Sequence, residues 1–213
     1  MRQALGRLFF TLLLAAVPTI LMAALPATEI CDGSFPSASW TDHSTTFVVG
    51  NTGGNCYNTI GNWGGAFWNA DTFGNDQYAE ITWGVTDPTY AGPGVRMSGQ
   101  DGARNGYALF GDTGTMYLRK WTSGTESGDL QTWTQSCCTV GDTYRLEIVG
   151  TTLTAYYNGT PLSPTVTDSS IASGSAGMFM YGSSARIDDW EGGNIGGAVS
   201  TCRGSMLLGM IGC

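Results

Sequence analysis

The sequence predicts an all-β protein built from two antiparallel sheets packed as a sandwich. Short segments rich in Val, Ile, Thr, Tyr and Trp alternate with turns rich in Gly, Asn, Asp and Ser, at a spacing of roughly 8 to 12 residues. Helices are disfavoured, because the 213 residues include 32 glycines and a single lysine, Lys120. With 42% hydrophobic residues and no internal repeat, the chain is expected to bury one core.

Nine strands are predicted from this pattern. They are expected at residues 45–49, 77–83, 94–98, 107–110, 115–121, 144–149, 152–157, 177–181 and 186–190. Alternation within two of these strands predicts six residues that face the core: Ala79, Ile81, Trp83, Tyr144, Leu146 and Ile148. Turns are expected at 150–151 and at Asn158-Gly159, where glycine and asparagine tolerate positive φ.

The first 27 residues are typical of a secretory signal. Arg2 and Arg7 precede an apolar run over residues 8–24, which ends near the small residues Ala24 and Ala27. An uncleaved membrane anchor is the alternative, since the run is just long enough to span a bilayer. We expect cleavage, a secreted or cell-surface domain over residues 28–195, and no membrane insertion once the signal is removed.

Residues 196–213 form a separate tail that contains glycines and cysteines. Its apolar stretch, 206–211, is far too short to cross a membrane, so we expect it to pack against the domain or to support self-assembly.

The charge of the chain argues against nucleic acid as a partner. Seventeen acidic and nine basic residues give a net charge of −8. Loss of Arg2 and Arg7 with the signal would make it about −10. A surface that binds phosphates needs the opposite sign.

Six cysteines follow the signal, and their even number in an exported chain indicates disulfides. The candidates are Cys31, Cys56, Cys137, Cys138, Cys202 and Cys213. Paired zinc-ligand spacing is absent. Cys137 and Cys138 are neighbours in an apparently extended segment, so their side chains should point apart and take different partners. That still leaves about 12 pairings open.

Several segments together resemble the concanavalin A-like lectin/glucanase superfamily, in its laminin-G-like form. The segments are GDTYRLEIVGTTLTAYYNG (141–159), TDSSIASGSAG (167–177), RIDDWE (186–191), FWNADTFGNDQYAE (67–80) and GVRMS (94–98). The resemblance covers residues 31–191 and implies a two-sheet jelly roll. It does not specify function, because this fold carries lectins, hydrolases, lyases and structural modules.

Catalytic residues of this superfamily are poorly matched. Its glycosidases use alternate carboxylates on one strand, and retention of configuration needs them about 5 to 5.5 Å apart. The nearest match, 186–191, has Arg186 at the place of the leading Glu, and Asp189 and Glu191 are interpreted as an acidic edge or a metal ligand. His43 is interpreted as a surface histidine, because its neighbours Asp42 and Ser44 cannot converge on it in an extended segment.

A saccharide site has better support. Sugar rings stack on aromatic side chains, while amides and guanidinium groups satisfy their hydroxyls. The candidate ligand-binding residues are Trp63, Trp68, Arg96, Tyr117, Arg119 and Trp121. If Met116 and Leu118 face the core, alternation exposes the face that carries the last three of these. The alternative is that Trp68 and Trp121 are core residues.

Calcium is the expected ion, since it prefers oxygen ligands and needs no histidine. The resemblance implies a site that joins the N-terminal segment to the last strand, and Asp32 and Asp188 match it by position. A second oxygen-rich loop, 69–76, is interpreted mainly as turn chemistry.

These observations favour a noncatalytic binding or adhesion module for a glycan or a cell-surface polymer. The alternatives are a divergent glycoside hydrolase or polysaccharide lyase, and a structural subunit of an extracellular or virion assembly.

Overall fold

The computed structural model describes residues 25–32, 37–44, 49–59, 62–85 and 90–196. They form two antiparallel sheets and one 3₁₀ turn, Asp101–Ala103, which confirms the predicted two-sheet sandwich. No helix in these five segments is long and apolar enough to cross a membrane. Most of the predicted signal and most of the tail lie outside the described residues.

The first sheet has nine strands, most of them along one hydrogen-bonded path. They are β1 (Ala27–Glu29), β3 (Val49–Thr52), β4 (Asn55–Asn58), β6 (Gln77–Trp83), β11 (Thr143–Val149), β12 (Thr152–Tyr157), β13 (Thr160–Pro161), β14 (Val166–Thr167) and β16 (Arg186–Asn194). The order is β13-β12-β11-β6-β16-β4-β3, with β1 paired to β16 and β14 to β12.

The second sheet has seven strands in the order β10-β9-β8-β7-β15-β5-β2. They are β2 (Trp40–Asp42), β5 (Trp63–Trp68), β7 (Ala91–Ser98), β8 (Asn105–Asp112), β9 (Thr115–Thr122), β10 (Thr125–Thr134) and β15 (Ser175–Tyr181).

The main core lies between the two sheets. All six residues predicted to face it are at most 1% exposed: Ala79, Ile81, Trp83, Tyr144, Leu146 and Ile148. The second sheet contributes Leu109, Met116, Leu118, Met178 and Met180, which belong to the same cluster. Period-two alternation therefore identified the buried face, because each of these strands has one face against the other sheet.

Eight of the nine predicted strands match observed ones within a few residues. The ninth, 45–49, lies mostly outside the described residues. Asn158 and Gly159 have φ of 47° and 74°, as the turn prediction requires. Trp63–Trp68 is a strand that was not among the predicted ones. There a Cβ on Gly65 would lie 2.4 Å from the carbonyl oxygen of Met178, so glycine permits the close approach of β15.

The predicted start of the domain at residue 28 falls inside β1, which begins one residue earlier. Ala27 is buried opposite Gly192 of β16, and Leu25 packs against the main core. The first sheet thus includes the last residue of the predicted signal.

The structure pairs two of the six candidate cysteines, a pairing that the sequence left open, and it does not separate the side chains of Cys137 and Cys138 as expected. Cys31 and Cys56 form a disulfide with a Cα–Cα distance of 5.1 Å. Cys137 and Cys138 are free thiols whose side chains hydrogen-bond to each other. They lie between β10 and β11 and not in a strand, so alternation does not separate them. Cys202 and Cys213 lie outside the described residues, and pairing with them stays a prediction.

The hydrogen bond between these thiols shifts their two pKa values in opposite directions. It lowers the pKa of Cys137 to about 6, because the Cys138 thiol stabilises the Cys137 thiolate. The pKa of Cys138 is raised by the same interaction and by burial.

Candidate functional site

A layer of aromatic side chains covers the outer face of the second sheet, away from the main core. Trp63 is at its centre, with ring-centroid distances of 5.4 Å to Tyr90 and 4.8 Å to Tyr181. Tyr90 is in turn 5.7 Å from Tyr117. We call Trp63, Tyr90, Tyr117 and Tyr181 the aromatic platform. Tyr181 is its most accessible member, at 38% exposed, and the other three are half-buried.

Arg119 holds the platform together on the side of β9 and β10. The guanidinium carbon lies 5.4 Å from the Trp63 ring centroid, 5.8 Å from that of Tyr90 and 5.7 Å from that of Tyr117. The same guanidinium pairs with Glu126 at 2.8 Å and Asp129 at 2.5 Å. Its position is therefore fixed by carboxylates from the neighbouring strand and by aromatic faces.

Trp121 lies beneath the platform, so the prediction that it is exposed is wrong. It is 1% exposed and stacks on Phe179 with ring centroids 4.5 Å apart and planes 14° from parallel. Phe110, Met97 and Ala108 complete this second apolar cluster, and Trp63 packs against it. Met116 and Leu118 do face the main core, but on the opposite face further aromatic rings cover Trp121, while Tyr117 and Arg119 stay partly exposed.

A β-bulge gives this cluster its methionine. Val95 faces the main core, and Met97, two residues later, belongs to the outer cluster. The register of β7 against β8 shifts between Val95 and Ser98, and Arg96 has φ of 50°. An extra residue in one strand reverses the alternation, which sequence periodicity does not reveal.

A polar cavity of about 460 Å³ adjoins the platform. Its lining includes Trp63 and Trp121, together with Ser44, Asn62, Asp101, Arg104 and Glu126. The Ser44 hydroxyl donates to Asp101 at 2.9 Å, and Arg104 Nε donates to the Asp101 carbonyl at 3.0 Å. Hydroxyl, amide, carboxylate and guanidinium groups thus border an aromatic surface, which is the chemistry that a hydroxylated ring requires.

His43 is fully buried under this region, which corrects its interpretation as a surface histidine. Its Nε2 lies 3.0 Å from the Ser98 carbonyl and 3.1 Å from the Asn105 carbonyl, and its ring packs edge-on against Phe179. Burial lowers the pKa of His43 to about 4; the Ser98 carbonyl opposes this effect and the charge of Arg104 adds to it. The residue is a neutral structural element at physiological pH.

Trp68 and Arg96 lie away from the platform. Trp68, 9% exposed, packs between the sheets against Trp40 and Trp190, and its ring nitrogen donates to Asp71 at 2.8 Å. Arg96 is 3% exposed and lines a different cavity. Of the six predicted ligand-binding residues, the structure brings four to the platform or directly beneath it: Trp63, Tyr117, Arg119 and Trp121.

Asp32 and Asp188 are brought to one corner of the first sheet. Asp32 follows Cys31, whose disulfide partner Cys56 pairs with Ile187, the residue before Asp188. The buried Oδ1 of Asn55, beside Cys56, has no hydrogen-bond partner among the described residues. Oxygen atoms with spare acceptor capacity suit calcium. The described segments contain no group of three or more His, Cys, Asp or Glu side chains placed to hold a metal ion.

Several polar side chains of the second oxygen-rich loop, 69–76, form hydrogen bonds within the protein. Asn69 donates to Thr41, Asp71 accepts from Trp68, and one Asp76 oxygen accepts from the Gly150 amide at 2.7 Å. These bonds support the interpretation as turn chemistry.

The acidic strand segment belongs to the other sheet. Glu191 accepts from the Tyr78 hydroxyl at 2.5 Å and lies opposite Glu80 on β6. Burial and the charge of Glu191 raise the pKa of Glu80, although Arg145 opposes them. Asp189 is exposed. These carboxylates are remote from the platform in the fold, because they project from β6 and β16 of the first sheet.

Sequence reasoning missed several residues of the site. They are Tyr90, Tyr181, Asp101, Arg104, Glu126 and Asp129. Tyr181 follows Phe179 by two residues in β15, so strand alternation could have predicted that both lie on the same face of the sheet. The remaining residues come from turns or from β10, a strand that was not predicted, and only the folded chain brings them together.

Comparison with known proteins establishes the fold and leaves the family open. No protein-family model and no curated protein sequence matches this chain. Solved structures do match. The carbohydrate-binding module CBM66 from Bacillus subtilis is 15% identical, with a TM-score of 0.58, and the match covers 73% of this chain and 92% of that one.

Two further structures have the same architecture. The VIP36 exoplasmic/lumenal domain, bound to Ca²⁺ and Man3GlcNAc, is 11% identical with a TM-score of 0.55, covering 74% of this chain and 84% of that one. A prokaryotic β-1,3-1,4-glucanase (lichenase) from a mouse hindgut metagenome is 10% identical with a TM-score of 0.56, covering 79% and 99%. The chain therefore has a concanavalin A-like jelly-roll fold, as the sequence resemblance implied.

Proposed function

We propose that the protein is a secreted, noncatalytic glycan-binding module whose ligand stacks on the aromatic platform. The observation that carries the proposal is the clustering of Trp63, Tyr90, Tyr117 and Tyr181 beside the 460 Å³ polar cavity. The fold is one shared by a carbohydrate-binding module, a lectin domain and a glucanase, which supports a saccharide ligand.

The carboxylates at the platform favour binding over hydrolysis. A glycosidase needs an acid and a nucleophile or base on opposite sides of an open cleft. Glu126 and Asp129 both engage the guanidinium of Arg119, so neither is free to flank a glycosidic bond. Release of reducing sugar from the ligand by the purified protein would instead support the hydrolase alternative.

Replacement of Tyr181 by Ala is expected to weaken glycan binding by about 1 to 3 kcal/mol, the range for loss of an aromatic anchor. Tyr181 is the most exposed platform residue, so its removal should leave the melting temperature nearly unchanged. A glycan array of the oxidised protein identifies a glycan that binds. Calorimetric titration with that glycan then measures the difference in affinity between the variant and the wild type.

Tyr156→Ala is the matched control, because Tyr156 is a half-buried tyrosine on β12 of the first sheet. Its affinity should equal that of the wild type. Equal affinity of Tyr181→Ala and wild type would remove the platform from the proposal. If no glycan on the array binds and the particles of this protein in solution grow with protein concentration, the structural-assembly alternative is favoured.

We also propose that calcium binds at the corner formed by Asp32 and Asp188, with the Asn55 oxygen as a third candidate ligand. The VIP36 neighbours are calcium-bound forms, which supports this ion. Calcium should raise the melting temperature, since a ligand held only by the native state stabilises it. In Asp188→Asn this increase should disappear, whereas Asp189→Asn should retain it. An identical melting temperature with calcium and with chelator would exclude the site.

Secretion and an adhesive role on a glycan or cell-surface polymer complete the proposal. The Cys31–Cys56 disulfide supports an oxidising compartment.

A further inference from the structure

A cavity of about 680 Å³ lies where several loops meet at the edge of the sandwich. Its lining is Gly74, Asn75, Asp76, Arg96, Gly150, Thr151, Ser169, Ala172, Asn194, Ile195 and Gly196. We call it the Arg96 cleft. It shares no lining residue with the cavity beside the aromatic platform.

Arg96 ties together three loops that border the cleft. Its Nε and Nη2 donate to the Asn75 carbonyl at 3.0 and 2.8 Å, Nη1 donates to that of Ile171 at 2.8 Å, and Nη2 donates to that of Gly150 at 2.7 Å. A single buried guanidinium therefore sets the relative positions of the β5–β6 loop, the β11–β12 turn and the segment before β15. A cleft held in this way is preorganised, which reduces the entropy lost on binding.

The backbone around Arg96 is strained and tightly enclosed. Arg96 has φ of 50°, and a Cβ on Gly174 would lie 2.4 Å from the Arg96 carbonyl carbon. Gln77 fixes this contact by donating to the Gly74 and Gly174 carbonyls and accepting from the Arg96 amide. Such strain persists only where surrounding contacts over-determine it, and it concentrates at functional sites.

Two side chains of the cleft have hydrogen-bonding capacity to spare. One Asp76 oxygen accepts from the Gly150 amide at 2.7 Å, and Asn194 Oδ1 accepts from the Gly74 amide at 2.7 Å. The other Asp76 oxygen and the Asn194 amide NH₂ make no further hydrogen bond within the described part of the chain. An ionised carboxylate only accepts and an amide nitrogen only donates, so together they match adjacent hydroxyl groups.

Charge narrows the ligand class. A divalent cation is disfavoured, because the Arg96 guanidinium lies in the same cleft and carries the same sign of charge. An anion is disfavoured as well, since Arg96 directs its N–H groups at carbonyls and Asp76 adds a negative charge. A neutral ligand with adjacent hydroxyls fits both groups.

We infer that the Arg96 cleft is a second ligand site, which takes a single neutral sugar unit or similar polyol. Its lining contains no aromatic ring, and Ala172 and Ile195 are its only purely aliphatic side chains, so the site suits a terminal unit that is oriented by hydrogen bonds and not by ring stacking. The site does not depend on the aromatic platform, and with both sites the domain would be bivalent.

The test is an NMR titration of the ¹⁵N-labelled full domain with glucose, galactose, mannose and fructose as separate probes. At least one sugar should shift the amide signals of Gly74, Gly150 and Asn194 in a saturable manner. The Asp76→Asn variant keeps an oxygen for the Gly150 amide but loses the free acceptor. It should weaken this binding about tenfold.

Two controls separate this site from the platform. Asp189→Asn removes an exposed carboxylate of β16 that does not line the cleft, and this variant should bind like the wild type. Tyr181→Ala should leave the cleft shifts intact even where platform binding is lost. The inference is overturned if none of the four sugars shifts the cleft amides, or if Asp76→Asn binds as tightly as the wild type.

Discussion

Replacement of Trp121 by Ala is expected to lower the free energy of unfolding by about 3 to 5 kcal/mol, the cost of emptying a buried aromatic site. Trp121 is 1% exposed, stacks on Phe179 and lies against Phe110 and Trp63. The surrounding rings are carried by strands of one hydrogen-bonded sheet, so we expect them to fill only part of the space. Thermal and denaturant unfolding measure the loss.

Trp121→Phe is the matched control, because it keeps a ring against Phe179 and should lose much less stability. Glycan affinity should fall in Trp121→Ala through disorder of Trp63 above it, even at a temperature where the variant is folded. A melting temperature equal to that of the wild type would show that Trp121 is not part of a core.

Acidification from pH 7 to pH 4 is expected to remove about 3 kcal/mol of stability through His43 alone. The folded protein lowers the pKa of His43 to about 4 from its ordinary 6.5. Between these values the unfolded chain binds the proton and the folded chain does not. The contribution of neutral His43 to the free energy of unfolding is therefore fully present above about pH 6.5. It is lost as the pH falls towards 4.

The His43→Gln variant isolates this effect from the titration of carboxylates. Its amide can donate to both the Ser98 and Asn105 carbonyls, which His43 Nε2 approaches at 3.0 and 3.1 Å. Denaturant unfolding at several pH values should show the wild type losing more stability than the variant between pH 6.5 and 4. If the free energy of unfolding falls equally with pH in the two proteins, the effect does not come from His43.

Much of the architecture was determined by the sequence alone. Alternation in β6 and β11 identified Ile81 and Leu146 as core residues, and Asn158-Gly159 specified a turn, because these signals depend on a few consecutive residues. Three of the candidate ligand-binding residues, Trp63, Tyr117 and Arg119, are also neighbours in the fold.

Only the tertiary structure decided which aromatic residues are accessible. Alternation placed Trp121 away from the main core but could not show that rings from β5, β8 and β15 cover it. The same limit applies to Arg96, whose bulge and whose bonds to three distant carbonyls have no local sequence signal. Local periodicity states which face of a strand a residue occupies, whereas burial of that face depends on segments far away in the chain.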